Sequence, residues 1–235
     1  MDRNEKIARL IAQNTYRIED LMEIVELLRG EGGCPWDREQ THESIRNDLI
    51  EETYEVIEAI DTGSTSLLRE ELGDLLFQIL FHAQIEREKG SFELEEIITE
   101  ISAKMIHRHP HVFGDVTVKN TGEVLSNWES IKTEEKQRNT LADKLRAIPP
   151  MLPALMRAQK VAKKSGEFAN LTREELLDRL QEGVDALRKD GGSTEALGQM
   201  LLVTSAFAQI SGVSAEQALF EQTNVFIEQL SDKNV

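Results

Sequence analysis

The sequence predicts an all-α protein, and three observations carry that reading. All five prolines fall at positions 35, 110, 149, 150 and 153, which leaves long stretches without a helix breaker. Aromatic residues make up only 5% of the chain, and nowhere do apolar and polar residues alternate long enough to suggest a strand. Helix-period patterns bounded by caps and glycines fill the rest.

Taken in order, a first helix is expected over about 5–29, ended by Gly30 and the Gly32-Gly33-Cys34-Pro35 turn. Asp37 with Gln40 resembles a capping box, opening a second helix that runs to about Asp61, where Gly63 breaks it. A third helix covers about 66–89 and stops at Gly90, and a fourth covers about 93–108 and stops before Pro110. Thr121 caps a fifth that reaches about 138. The segment 139–153, ending in Pro149-Pro150-Met151-Leu152-Pro153, reads as a linker, because three prolines in five residues forbid a continuous helix. Beyond it, helices are expected near 153–164, 173–190, 194–211 and 215–230, with Thr172/Glu175 and Ser214/Gln217 as further capping boxes. The domains expected are therefore 1–140, a linker at 141–153, and 154–235.

Composition narrows the function. A net charge of −16 and a pI near 4.8 disfavour nucleic acid and anionic membrane surfaces as partners. The single cysteine, Cys34, excludes an intrachain disulfide, and no apolar run approaches the 18 or so residues of a membrane span. The amino terminus enters a charged amphipathic pattern at once, without a signal-peptide core, so a cytoplasmic protein is expected.

Two acidic pairs stand out: Glu52-x-x-Glu55 and Glu71-x-x-Asp74, each preceded by another glutamate, Glu51 and Glu70. Spacing of i, i+3 puts both members of a pair on one helix face, so two such helices side by side would converge four carboxylates. The second pair lies in an apolar stretch, Leu72–Ala83, where Glu71, Asp74, Gln78 and His82 share a narrow sector beside Leu75, Phe81 and Ile85. Such a stripe is expected to be buried rather than a wet surface face. Buried carboxylates need a partner or a metal, which leaves a cation cage and an internal salt-bridge network as the readings. An all-oxygen donor set suits Mg²⁺ or Mn²⁺ better than zinc. A di-iron bundle would need two Glu-x-x-His pairs, and only Glu39-x-x-His42 fits.

Mg²⁺ held by carboxylates in an acidic protein points to a phosphorylated substrate. Lys104 and Arg108, at i, i+4 on the fourth helix, are spaced to grip a phosphate chain, although an ordinary exposed pair near a helix end has the same spacing. The histidines of His107-Arg-His-Pro-His111 raise the question of zinc, but Pro110 interrupts their spacing and no cysteine joins them. Cys34-Pro-Trp-Asp37 is either a plain turn with Trp36 packed on the core or a platform on which Trp36 stacks against a base.

The chain also repeats itself. Leu72–Ile85 aligns without a gap to Leu197–Ile210, and after a five-residue loop shift Ile50–Glu55 aligns to Leu180–Asp185. Where the first copy has Glu51, Glu71, Asp74, Gln78 and His82, the second has Gln181, Ala196, Gln199, Val203 and Phe207. Only Glu182 and Asp185 remain, and Lys104 and Arg108 are replaced by Val225 and Gln229. Two tandem units are expected, the first working and the second degenerate.

The motifs Cys-Pro-Trp-Asp-x-x-Gln-Thr (34–41), Glu-Glu-Thr-Tyr-Glu (51–55), Glu-Leu-Gly-Asp-Leu-Leu-Phe (71–77), Arg-His-Pro-His-Val-Phe (108–113), Trp-Glu-x-Ile-Lys-x-Glu-Glu (128–135) and Leu-Pro-Ala-Leu-Met-Arg-Ala-Gln-Lys (152–160) resemble a two-repeat MazG-type nucleoside triphosphate pyrophosphohydrolase. The resemblance is strong over about 30–160. It implies helical-bundle units that dimerise, and Mg²⁺-dependent cleavage of an NTP or dNTP to monophosphate and pyrophosphate. It also implies Glu52, Glu55, Glu71 and Asp74 as metal ligands and Lys104 and Arg108 as phosphate contacts. Glu51 is the candidate for the group that takes a proton from the attacking water. A regulator that binds Mg-nucleotide without hydrolysing it is the alternative.

Overall fold

The computed structural model describes residues 1–135 and 140–231. Within them the order is α1 (Arg3–Ala12), α2 (Ile18–Arg29), α3 (Pro35–Glu39), α4 (Arg46–Asp61), α5 (Thr65–Lys89), α6 (Leu94–Arg108), α7 (Pro110–Phe113), α8 (Thr121–Glu135), α9 (Leu141–Arg146), α10 (Ala154–Lys164), α11 (Gly166–Ala169), α12 (Arg173–Asp190), α13 (Thr194–Ile210) and α14 (Ala215–Ser231). No strand occurs among the described residues, in line with the all-α expectation. No single described helix is long and apolar enough to cross a membrane.

The chain divides into two compact units, Met1–Val118 and Lys119–Val235. This division falls ahead of α8, a helix that the expected domain 1–140 had included. The first unit is built on the α4–α5 hairpin, turned by Gly63 at φ +66°, with α2 and α6 packed on α5. Its core gathers Val25, Ile45, Leu80, Phe81, Ala83, Ile85 and Leu94. In the second unit α10 and α12 both pack on α13, and α14 closes against α10 and α13. Its smaller core holds Ala162, Phe168, Leu176 and Ala206. Both aligned segments of the repeat thus form helix hairpins, α4–α5 in one unit and α12–α13 in the other.

Several boundaries differ from the expectation, each for a tertiary or side-chain reason. The helix expected over 5–29 is two helices, because Asp20 turns back to accept the Arg17 backbone N–H at 2.9 Å and so caps a new start at Ile18. Arg9 then bridges the two, bonded to Asp20 at 2.6 Å and to Glu23. The helix expected from Asp37 is interrupted as well. Gln40 ends α3 instead of boxing its start, and Thr41 and Ser44 exchange side-chain and backbone hydrogen bonds before α4 begins.

Pro110 does not merely end α6. It opens the single turn of α7, where its missing N–H is no loss. The expected linker contains α9, opened by a capping box between Thr140 and Asp143. The last few residues of the fifth expected helix, beyond Glu135, lie outside the described residues.

The turn after α2 depends on glycine. A Cβ on Gly33 would lie 2.2 Å from the Leu28 carbonyl oxygen and 2.4 Å from that of Leu27, both rigid backbone atoms. Gly33→Ala should therefore destabilise the first unit by about 2 kcal/mol or more; a thermal melt matching the parent chain would show that the turn relaxes freely.

Candidate metal centre

Local sequence brings the acidic residues together. Glu52 and Glu55 lie one turn apart on α4, Glu71 lies on α5, and the short Thr62–Ser64 connection returns one helix against the other. Glu52, Glu55 and Glu71 each offer a carboxylate oxygen within 4.8 Å of the others, the grouping among the described residues that could hold a metal ion. Glu71 is only 8% exposed, and Glu52 and Glu55 are partly buried. Asp74, one turn further along α5, is exposed and outside that triplet.

Its charge is nonetheless felt there. Burial pushes the Glu52 carboxyl above the usual range, helped by the negative charges of Asp74, Glu55 and Glu71. Burial also raises Glu71, helped by Glu55, Glu70 and Asp74. Like charges forced together without a counter-ion have this signature. An all-oxygen set of this kind suits a hard divalent cation and offers a soft one nothing.

The other anticipated residues divide. Glu51 is exposed on α4 beside Glu52. Lys104 is exposed on α6, whereas Arg108, one turn on, is buried at 7% exposure, so the two do not form a matched surface pair. Trp36 is 60% exposed on α3; it is not packed on the core, which removes the plain-turn reading of that side chain. Along α5, Gln78 is buried as expected and His82 is partly buried. The opposite side of the same stretch, however, leaves Leu72, Leu76 and Ile79 exposed, so the segment is not enclosed on all sides.

Two features escaped the sequence reading. His42 does not serve a Glu39-x-x-His42 pair. Its ring stacks on His82, with the two Nδ1 atoms 2.7 Å apart, and its Nε2 lies 2.6 Å from Glu86. Hydrogen bonds from Lys89, then His42, then Ser91 pull Glu86 down to about 2, while burial and the neighbouring His42 push His82 down. The second is Arg29, whose contacts tie α3 to α5. Nothing in the spacing of these residues marks them, since each meets its partners across the fold.

Among the described residues the second unit shows no such group. Glu182 is exposed, and Asp185 is engaged by Arg188 at 3.1 Å. A Cβ at Gly183 would lie 3.4 Å from the Met200 side chain, so α12 and α13 are in side-chain contact there.

Residues 40–113 match the MazG nucleotide pyrophosphohydrolase domain. The chain is 41% identical over 221 residues to the nucleoside triphosphate pyrophosphohydrolase of Escherichia coli (strain K12), covering 89% of this chain and 84% of that one. It is 39% identical over 215 residues to the nucleoside triphosphate pyrophosphohydrolase/pyrophosphatase MazG of Thermotoga maritima, covering 89% and 82%. A further similarity, 49% over 140 residues, is to the uncharacterized protein YabN of Bacillus subtilis, where it takes up 28% of the longer chain.

The raised carboxyls set a stability expectation with a definite sign. Between the ordinary carboxylate range and the raised values the folded state keeps protons that the unfolded chain has lost, so metal-free stability falls as pH rises through that interval. Glu71→Gln should accordingly raise the melting temperature near neutral pH in chelator, and the advantage should shrink towards pH 4. Added divalent cation should stabilise the parent chain more than the variant. An equal or lower melting temperature for the variant in chelator would mean that the carboxylates do not repel one another.

Proposed function

The chain belongs to the MazG nucleotide pyrophosphohydrolase family, and from that premise we propose that its first unit hydrolyses nucleoside triphosphates, NTP or dNTP, to the monophosphate and pyrophosphate. The observation that carries the reading is the group of three carboxylates within 4.8 Å, with the charge of Asp74 beside it. Glu52, Glu55, Glu71 and Asp74 would hold Mg²⁺, with Mn²⁺ the other ion the donor set accepts. Bound there, the ion supplies charge neutralisation for the triphosphate and a more acidic water.

The residues of the chain do the rest. Water forms a new bond to phosphorus as the bond between the α- and β-phosphates breaks, and Glu51, exposed next to the ligands, takes the proton that water gives up. Lys104, exposed on α6, together with Arg108, which must reach the substrate from a buried position, holds the pyrophosphate, and Trp36, presented outward on α3, stacks on the nucleobase. The second unit, with Asp185 paired to Arg188 and no equivalent of Glu71, is structural. A role in clearing the nucleotide pool, in the cytoplasm, is the setting we propose for this activity.

The exposed apolar side of the hairpin supports a homodimer. Ile50, Tyr54 and Ile57 on α4 and Leu72, Leu76 and Ile79 on α5 are all solvent-exposed in the single chain, an i, i+4, i+7 apolar stripe on each helix where a surface helix ordinarily turns polar residues outward. A second copy is the partner proposed for it.

Incubation with Mg²⁺ and a panel of NTPs and dNTPs, with products separated by chromatography, tests the activity. Monophosphate and pyrophosphate are expected, with turnover reduced by about 10³-fold or more in Glu71→Gln and Asp74→Asn. Glu182→Gln should be unaffected; a similar loss there would assign chemistry to the second unit. Diphosphate and phosphate as products would overturn the cleavage position, and nucleotide-dependent thermal stabilisation without turnover would favour the regulator. Sedimentation should give twice the chain mass for the parent and the chain mass for Leu76→Arg with helicity retained; a parent that sediments as a monomer would remove the dimer.

A further inference from the structure

The turn that carries Trp36 is held to the helical body by charge and hydrogen bonds instead of apolar packing. α3 has five residues, too few to be stable alone, and the one buried among them is Asp37. Arg29, the last residue of α2, reaches across to it with a side chain only 6% exposed. Its Nε and Nη2 donate to the two oxygens of Glu88 on α5 at 2.9 and 2.8 Å. Its Nη1 donates to the backbone carbonyls of Asp37 at 2.6 Å and Gln40 at 3.1 Å, adding to the Gln40 N–H that the Asp37 carbonyl already accepts at the end of α3. The guanidinium lies over the Phe81 ring, 5.0 Å from its centre.

No other side chain makes this set of contacts. A planar fork serves a bidentate carboxylate on one edge and two carbonyls on the other, while lying flat on an aromatic core residue. An ammonium group has the charge but not the shape. Burial would raise the Glu88 carboxyl, but hydrogen bonds from Arg29 and Gln84 hold it low.

From Arg29 the bonds continue to the backbone of Trp36. Gln40, whose carbonyl Arg29 holds, donates through Nε2 to the Trp36 carbonyl at 2.9 Å, and Ser44 Oγ donates to Gln40 Oε1 at 2.6 Å. Just beyond, His42 ties the same loop to Glu86. Two glutamates of one α5 turn, Glu86 and Glu88, therefore anchor the loop, and Trp36 stands 60% exposed on the scaffold they fix.

We infer that Arg29 is a positioning residue for substrate: acting through the backbone of Asp37 and Gln40, it fixes the α3 turn and so holds the Trp36 indole where the nucleobase stacks. It touches neither the nucleotide nor the carboxylates. Its loss weakens nucleotide binding and leaves the chemical step in place. The inference rests on the reading of Trp36 as the base-stacking side chain, and the test separates the two.

The chain has two tryptophans, so Trp128→Phe leaves Trp36 as the sole indole. In that background, Mg-ATP, Mg-GTP, Mg-CTP and Mg-UTP turnover, acrylamide quenching and thermal melts are compared for Arg29→Met, Arg29→Lys and the pair Arg29→Met/Glu88→Leu. Arg29→Met should raise KM about tenfold with kcat within about threefold, and should increase quenching of Trp36. Arg29→Lys should do nearly the same, since charge alone does not restore the fork. The double variant leaves no unpaired carboxylate, so its melting temperature should recover while KM and quenching stay raised; it also carries the test if Arg29→Met folds poorly.

Parent-like KM in the double variant overturns the positioning role, as does a loss of kcat in proportion to the rise in KM. Trp36→Ala decides the underlying reading: unchanged KM there removes base stacking and the inference with it. Raised KM in Trp36→Ala beside parent-like KM in the double variant overturns the role of Arg29 alone.

Discussion

Everything in the first unit is arranged around one unfavourable contact, the convergence of Glu52, Glu55 and Glu71 on the α4–α5 hairpin. Burial first and the neighbouring negative charges second disfavour the ionised form here, and both raise Glu52 and Glu71. The hairpin closes because its other end is strongly held. Leu80, Phe81, Ala83 and Ile85 bury the C-terminal half of α5 against Val25 of α2 and Leu94 of α6. Core and site are thus separated along a single helix, with stability gathered at one end and functional tension at the other. A cation held at the acidic end would convert that repulsion into binding energy.

The second unit builds a matching hairpin, α12–α13, with other side chains at these positions. Phe207 stands where the first unit has His82 and packs against the core, Val203 replaces Gln78 there, and Ala196 is buried where Glu71 would be. Asp185, a remnant of the acidic pair, has taken Arg188 as its partner. Helices α12 and α13 are in side-chain contact at Gly183. The fold therefore does not require the charges. Their presence in the first unit calls for a reason beyond architecture, and a bound cation is the reason its chemistry supplies.

What could be read from the sequence was what one helix, or one helix and its turn, encodes. The i, i+3 spacings put Glu52 with Glu55, and Gly63 announced the turn that brings Glu71 to them. Capping boxes such as Thr172/Glu175 formed as written. What could not be read depends on contacts between distant residues. The break before Ile18 exists because Asp20 caps it and Arg9 bridges it; the break before Arg46 exists because Arg29, Thr41 and Ser44 give the backbone other partners. Equal spacing on α6 likewise did not reveal that Lys104 faces outward while Arg108 is buried, because burial is set by what lies opposite.

The apolar stretch from Leu72 to Ala83 misled for an instructive reason. A helix apolar on nearly every side is ordinarily enclosed within its own chain, and here it is not. Phe81 and Ala83 are buried in the core, Glu71 joins the carboxylate group, Gln78 is buried, and Leu72, Leu76 and Ile79 remain exposed. Three different demands on one helix erase the simple amphipathic stripe that a surface helix with a single buried face would show. The outward face lies alongside the acidic residues and away from the Leu80–Ile85 core, so whatever covers it also bears on the end of the hairpin where the carboxylates repel. Covering that face by a second copy would press α4 and α5 together there, supplying from outside the chain the closure that the core supplies at the far end.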